Sequence, residues 1–220
     1  MTEAEWMVCD DSSSMWDFMQ GKASGRKLRL FGCACCRRVW ELMPNVFCTR
    51  AVVFAEFTAD GRCATDELYR LSDGIESALR SDAYWDEVDQ YFAALAAWRV
   101  SSKDYLHMTA EAAAVAIAVH RSDEDYHPKR ATEGKAQADL IRDIFGNPFR
   151  PATFDPSWLT STVTALAAQM YDSRDFSAMP ILADALQDAG CTNDDILNHC
   201  RGDGPHVRGC WVVDLVVGKE

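Results

Sequence analysis

No run of apolar residues in this chain approaches the roughly 20 that a membrane-crossing helix requires, so no membrane partner is expected. Its first residues, MTEAEWMVCDD, lack the cationic and apolar regions of a secretory signal, and a cytoplasmic location is the expectation. No GxGxxG follows a strand-like run and no P-loop lysine is present, which removes the common nucleotide-binding fingerprints. A fixed-period repeat, a low-complexity tract and a heptad series are also missing. Positive charge is scarce: 22 Lys and Arg stand against 34 Asp and Glu, a formal charge of -12. A surface of that sign repels polyanions, so nucleic acid is disfavoured as a partner. The one basic stretch carries Lys22, Arg26, Lys27, Arg29, Arg37 and Arg38 with no acidic residue among them. It reads as the solvated face of a helix, with phosphate binding the lesser reading.

What the chain does hold is enough apolar material for a full core. With 220 residues, 48% of them hydrophobic and 25% charged, it is expected to fold as one domain over 1–220 without staples. Nine cysteines are present, an odd number without a secretion signal, and they are expected to be reduced thiols rather than a disulfide framework. Apolar residues recur every three or four positions almost throughout, which predicts an all-α fold: a globular multi-helix bundle, with an α-solenoid as the variant. Ser24 is placed to cap a helix running to about Met43, with apolar side chains on two faces and therefore central. Thr65 and Thr192 are placed to cap two later helices, and Gly146-Asn147-Pro148 to end another. Val88, Tyr91, Phe92, Leu95 and Trp98 form a stripe, and TAEAAAVAIAVH forms a helix that neighbours can approach closely. Residues 121–130, charged and containing Pro128, read as an exposed loop. CWVVDLVV is rich in β-branched residues, yet with no second strand to pair it is read as helix.

Potential chemistry concentrates between Asn198 and Val217. His199, Cys200, His206 and Cys210 are the ligand types of a tetrahedral zinc site, and a helix would turn His206 and Cys210, four apart, to one side. The spacing matches no finger or ribbon, so core filling competes with the metal reading. A thiol nucleophile is the second alternative: Cys210 with His206 and Arg208 nearby, in preference to Cys200 at a helix C-terminus. Arg201 and Arg208 flank the turn after Gly204-Pro205 and form a candidate anion-binding pair. Asp194-Asp195 read as capping residues and Asp10-Asp11 and Asp123-Glu124-Asp125 as solvated loops. Asp214, set among valines, must find a cation, for which Arg208, Arg37 and Arg38 are candidates.

The segments RKLRLFGCACCRRVW, LIRDIFGNPFRP, MPILADALQDAGC and GPHVRGCWVVDLVVGK resemble recurring blocks of an uncharacterised bacterial family of helical proteins. The resemblance covers most of the chain, more loosely from about Cys48 to Ala131. It implies one shared helical module and brings no activity, ligand or catalytic residue with it. Two functions follow from the residues. The first is a non-enzymatic protein-interaction or regulatory module, with Trp6, Trp16 and Trp85 as exposed anchors for a protein partner and no cofactor. The alternative is a zinc-binding protein or thiol-dependent enzyme centred on His199, Cys200, His206 and Cys210.

Overall fold

The Ser24 hydroxyl accepts the Lys27 amide and starts a helix, Gly25–Arg38, in which every residue from Leu30 to Cys36 is buried. A helix whose middle is apolar on all sides is a central strut, and a computed structural model describing residues 1–80, 87–102, 106–119 and 126–219 places it there. Among these residues there are 12 helices and no strands, and no helix is long and apolar enough to cross a membrane. In chain order the first eight are α1 (Glu3–Val8), α2 (Ser12–Met19), α3 (Gly25–Arg38), α4 (Val46–Ala59), α5 (Thr65–Leu79), α6 (Val88–Ser101), α7 (Thr109–Val119) and α8 (Tyr126–Phe145). Then come α9 (Ser161–Ser173), α10 (Met179–Asp188), α11 (Asp194–Arg201) and α12 (Trp211–Val217). CWVVDLVV is thus helical from Trp211 onward.

Buried apolar residues divide into two clusters. The first, from Trp6 to Ile144, gathers side chains of α1 to α8 around α3; the second, from Val163 to Val216, gathers those of α9 to α12. Gly146 makes the joint. It ends α8 at φ +66°, and a Cβ there would meet the Trp211 ring at 3.2 Å, so both the backbone angle and the close approach need glycine.

Several expectations are corrected. Trp6 and Trp16 are only 1% and 8% exposed, since their rings pack on Phe18 and Phe31; acidic neighbours in sequence said nothing about the ring's direction. Trp85 lies outside the described residues, as do 121–125 of the expected loop. Residues 126–130 are helical instead, because Pro128 falls in the first turn of α8, where its missing N–H is not needed. α6 buries Ala93, Ala94, Ala96, Ala97 and Val100 rather than its aromatic stripe, and packs along α7, whose Ala112, Ala113 and Ala116 are also buried. Paired alanine faces let two helices approach closely. α3 stops at Arg38, ahead of a 3-10 turn at Trp40–Leu42. Thr65 opens α5 without capping it, and the cap of α11 is Asn193, whose side chain accepts the amides of Asp195 and Ile196.

Lys22 and Arg38 are exposed, but from Arg26 onward the basic stretch is engaged with the protein and is not simply a solvated face. Buried carboxylates on neighbouring helices draw it inward, because a carboxylate out of water must be paired. Arg37 holds Glu56 of α4 (Nε to Oε1 2.5 Å), Arg38 holds Glu133 of α8 (2.7 Å), and Arg29 donates to the Val100 carbonyl (2.9 Å). Asp214 of α12, 1% exposed, takes Arg26 in a two-pronged bond (2.7 and 2.9 Å) and Lys27 at 3.3 Å, not Arg208, Arg37 or Arg38. Those last two lie at the far end of α3, toward Glu56 and Glu133. Arg26 also reaches Asp60 (3.2 Å) and the Tyr171 hydroxyl (2.8 Å), so the two apolar clusters are tied by a buried ionic network.

Candidate metal centre

α8, α11 and the turn into α12 converge beside this network. Asp143 stands in the last turn of α8 on its buried side, between Ile141 and Ile144. His199 lies in the last turn of α11, which stops at Gly202. The chain then loops back through His206 and Gly209, and Cys210 becomes the residue from which α12 starts. Gly209 is at φ +100° and seats against Leu30 of α3, where a Cβ would meet Leu30 at 3.0 Å. The Cys210 amide donates to the Val207 carbonyl (2.9 Å), so His206 and Cys210 share a side through a turn and not, as expected, through a helical i, i+4 repeat.

One potential ligand atom from each of Asp143, His199, His206 and Cys210 lies within 4.8 Å of all the others. His199 Nε2 is 3.2 Å from Cys210 Sγ and 3.2 Å from Asp143 Oδ1; His206 Nδ1 is 2.9 Å from the same oxygen. Zinc bond lengths in a tetrahedron set edges of about 3.3 Å between nitrogen and oxygen and about 3.6 Å between nitrogen and sulfur. Those three separations fall a few tenths of an ångström inside the edges, while the group as a whole spans up to 4.8 Å, so closing on an ion would take both outward and inward side-chain movement. Asp143 Oδ2 accepts the Val207 amide (3.0 Å), which fixes the carboxylate's orientation as an outer partner of a ligand does.

Burial pushes the Asp143 carboxyl up, but its hydrogen bonds with His199 and His206 outweigh this and hold it below the usual aspartate range. Burial drives the Cys210 thiol well above its ordinary value, with the Asp143 charge adding to the shift and the amides of Val213 and Val212 opposing it. A thiol in that state is neither nucleophile nor ligand until a cation arrives. The geometry also differs from that of a catalytic triad. In a triad the imidazole meets the nucleophile with one nitrogen and the carboxylate with the other. Here Nε2 of His199 faces both sulfur and oxygen, the disposition of a ligand aimed at a shared point.

Of the residues singled out in the sequence, the structure brings together His199, His206 and Cys210. Cys200 is outside the group, since adjacent helical residues point about 100° apart and it cannot share a target with His199. Its buried thiol is instead raised to about 12 by desolvation, with Cys191 nearby adding to the shift. Arg201 and Arg208 do not converge either. Arg201 is on the surface with Asp184 (2.9 Å) and Gln187 (2.6 Å), whereas Arg208 is buried against the Tyr171 carbonyl (3.1 Å). Sequence reading passed over Asp143, although the argument applied to Asp214, a carboxylate on an apolar helix face, marks it equally. In comparisons with protein-family models, curated proteins and solved structures, nothing matches this chain. The site stands on its own chemistry.

Proposed function

We propose that this chain is a non-enzymatic, zinc-stabilised helical module in which Asp143, His199, His206 and Cys210 hold one ion between its two apolar clusters. The observation that carries the reading is the double approach of His199 Nε2 to sulfur and carboxylate. One thiolate, two imidazoles and one carboxylate form a borderline-soft set that suits zinc, and four protein ligands leave no position for substrate. The ion would draw α8, α11 and the start of α12 to one point, and it would supply the positive charge that converts the buried Cys210 thiol to thiolate. Nine free cysteines favour a reducing compartment such as the cytoplasm. A rigid body of this kind, without a reaction centre, fits a role in binding a protein partner.

Protein purified without chelator is expected to carry one zinc per chain by elemental analysis, and Asp143→Asn and Cys210→Ser to lose it. Chelation is expected to lower the melting temperature of the wild type and not of Cys210→Ser. Absence of metal, or melting unchanged by EDTA, would overturn the reading.

A further inference from the structure

His206 also helps to line a cavity of about 90 Å³. Its polar wall is Arg37, Arg174, Arg208, Glu56 and His206, and Leu30 and Phe176 are among its apolar lining. Three guanidinium groups face one carboxylate. Glu56 already receives Nε and Nη2 of Arg37 (2.5 and 3.0 Å) and both Nε and Nη2 of Arg174, which leaves it little capacity for a third cation. Arg208, with its side chain 4% exposed, spends Nε and Nη2 on the Tyr171 carbonyl; its Nη1 forms a long ion pair with Glu56 at 3.7 Å, too far for a hydrogen bond, and has no hydrogen-bond partner. His206 Nε2 is also buried without a partner.

Two nitrogens without a hydrogen-bond partner, on residues that line one cavity, with two positive charges in excess among the lining side chains, describe an acceptor that is missing. We infer that this cavity is a receptor for an oxyanion of phosphate size, held by Arg208 Nη1 and His206 Nε2 with Arg37 and Arg174 alongside. A phosphate offers only acceptors, and a guanidinium edge is its natural counterpart. The His206 bond rests on the zinc reading, since a ring bound to the ion through Nδ1 carries its proton on Nε2; the Arg208 bond does not. Arg174 and Arg208 also line an adjoining open groove of about 490 Å³ with Phe57, Arg62, Cys63 and Asp172, which gives the anion a way in and room for an organic substituent.

The test is calorimetric titration of the full chain with inorganic phosphate and, separately, glycerol phosphate at constant ionic strength, with chloride as control. Saturable phosphate binding is expected, with affinity reduced about tenfold or more in Arg208→Gln, the scale of one lost charge-assisted pair. Binding of inorganic phosphate alone assigns the free anion, and binding of both assigns a phosphomonoester as well. If Arg208→Gln fails to fold by circular dichroism, Arg37→Gln, partly exposed, is the deciding variant, and its affinity is expected to fall. No binding, an equal response to chloride, or unchanged affinity in the folded variant would overturn the inference. Zinc content is measured on the same sample: phosphate binding without zinc fails the metal reading alone, and zinc without phosphate binding fails this one alone.

Discussion

Replacing Asp214 by Asn tests the ionic tie between the two clusters without altering shape. The carboxylate is 1% exposed and takes three donors from α3: both terminal nitrogens of Arg26 and the ammonium of Lys27. Removing one partner of a buried pair costs about 3–5 kcal/mol, because the remaining charge is left in a poor solvent. Arg26 keeps Asp60 and the Tyr171 hydroxyl, and its own side chain is 13% exposed, which relieves part of that penalty. We therefore expect a loss of about 3 kcal/mol, or about 6–12 °C in melting temperature for a chain of this length. Urea denaturation followed by circular dichroism gives the number. The double variant Arg26→Met, Asp214→Leu is expected to recover much of the loss, since apolar replacement of both partners of a buried pair is often near neutral. A loss below about 1 kcal/mol in Asp214→Asn would show that the network is solvated and that the argument from burial is wrong.

Acid sensitivity follows from Asp60 and Asp143. Burial raises both carboxyls, but hydrogen bonds and nearby cations outweigh it and hold each below the ordinary aspartate value of 3.8, so the unfolded chain binds protons first. Their contribution is complete above about pH 5 and lost as pH falls through the depressed folded values; a urea midpoint that rises on acidification from pH 5 to 3 would contradict this, and Asp143→Asn is expected to flatten the slope. Thiol accessibility gives a second check. Cys9 and Cys63 are partly exposed and the other seven cysteines are buried, so a thiol reagent is expected to modify about two sites quickly and the rest only at the rate of unfolding. Rapid reaction of Cys33, Cys35 or Cys36, mapped by mass spectrometry, would mean that α3 is not the interior strut described above.

The fold class was legible because helix formation here is governed by local spacing: Leu68 and Ile75 face inward on α5 just as the three-and-four rhythm requires. The two-sided burial of α3 was legible for the same reason. Partners across the chain were not. Asp214 announced its need for a cation, yet Arg26 is 188 residues away, and a run of cations looks alike whether it faces water or Glu56 and Glu133. Asp143 lies 63 residues from His206, and only the return of the loop after α11 brings them into contact. Alanine faces misled on α6 because periodicity weights large side chains, whereas close packing against α7 rewards small ones.

The separation between Arg26 and Asp214 also bears on biosynthesis. At roughly 5–20 residues per second, a ribosome needs about 10–40 s after Arg26 emerges to deliver its counter-ion. Through that interval α3 carries cations whose acceptors on α12 do not yet exist, so the first eight helices can collapse around their cysteine-rich strut without locking. α12 then acts as a latch, and a nascent chain stalled before Asp214 should remain a substrate for chaperones and proteases even though the first apolar cluster is already made.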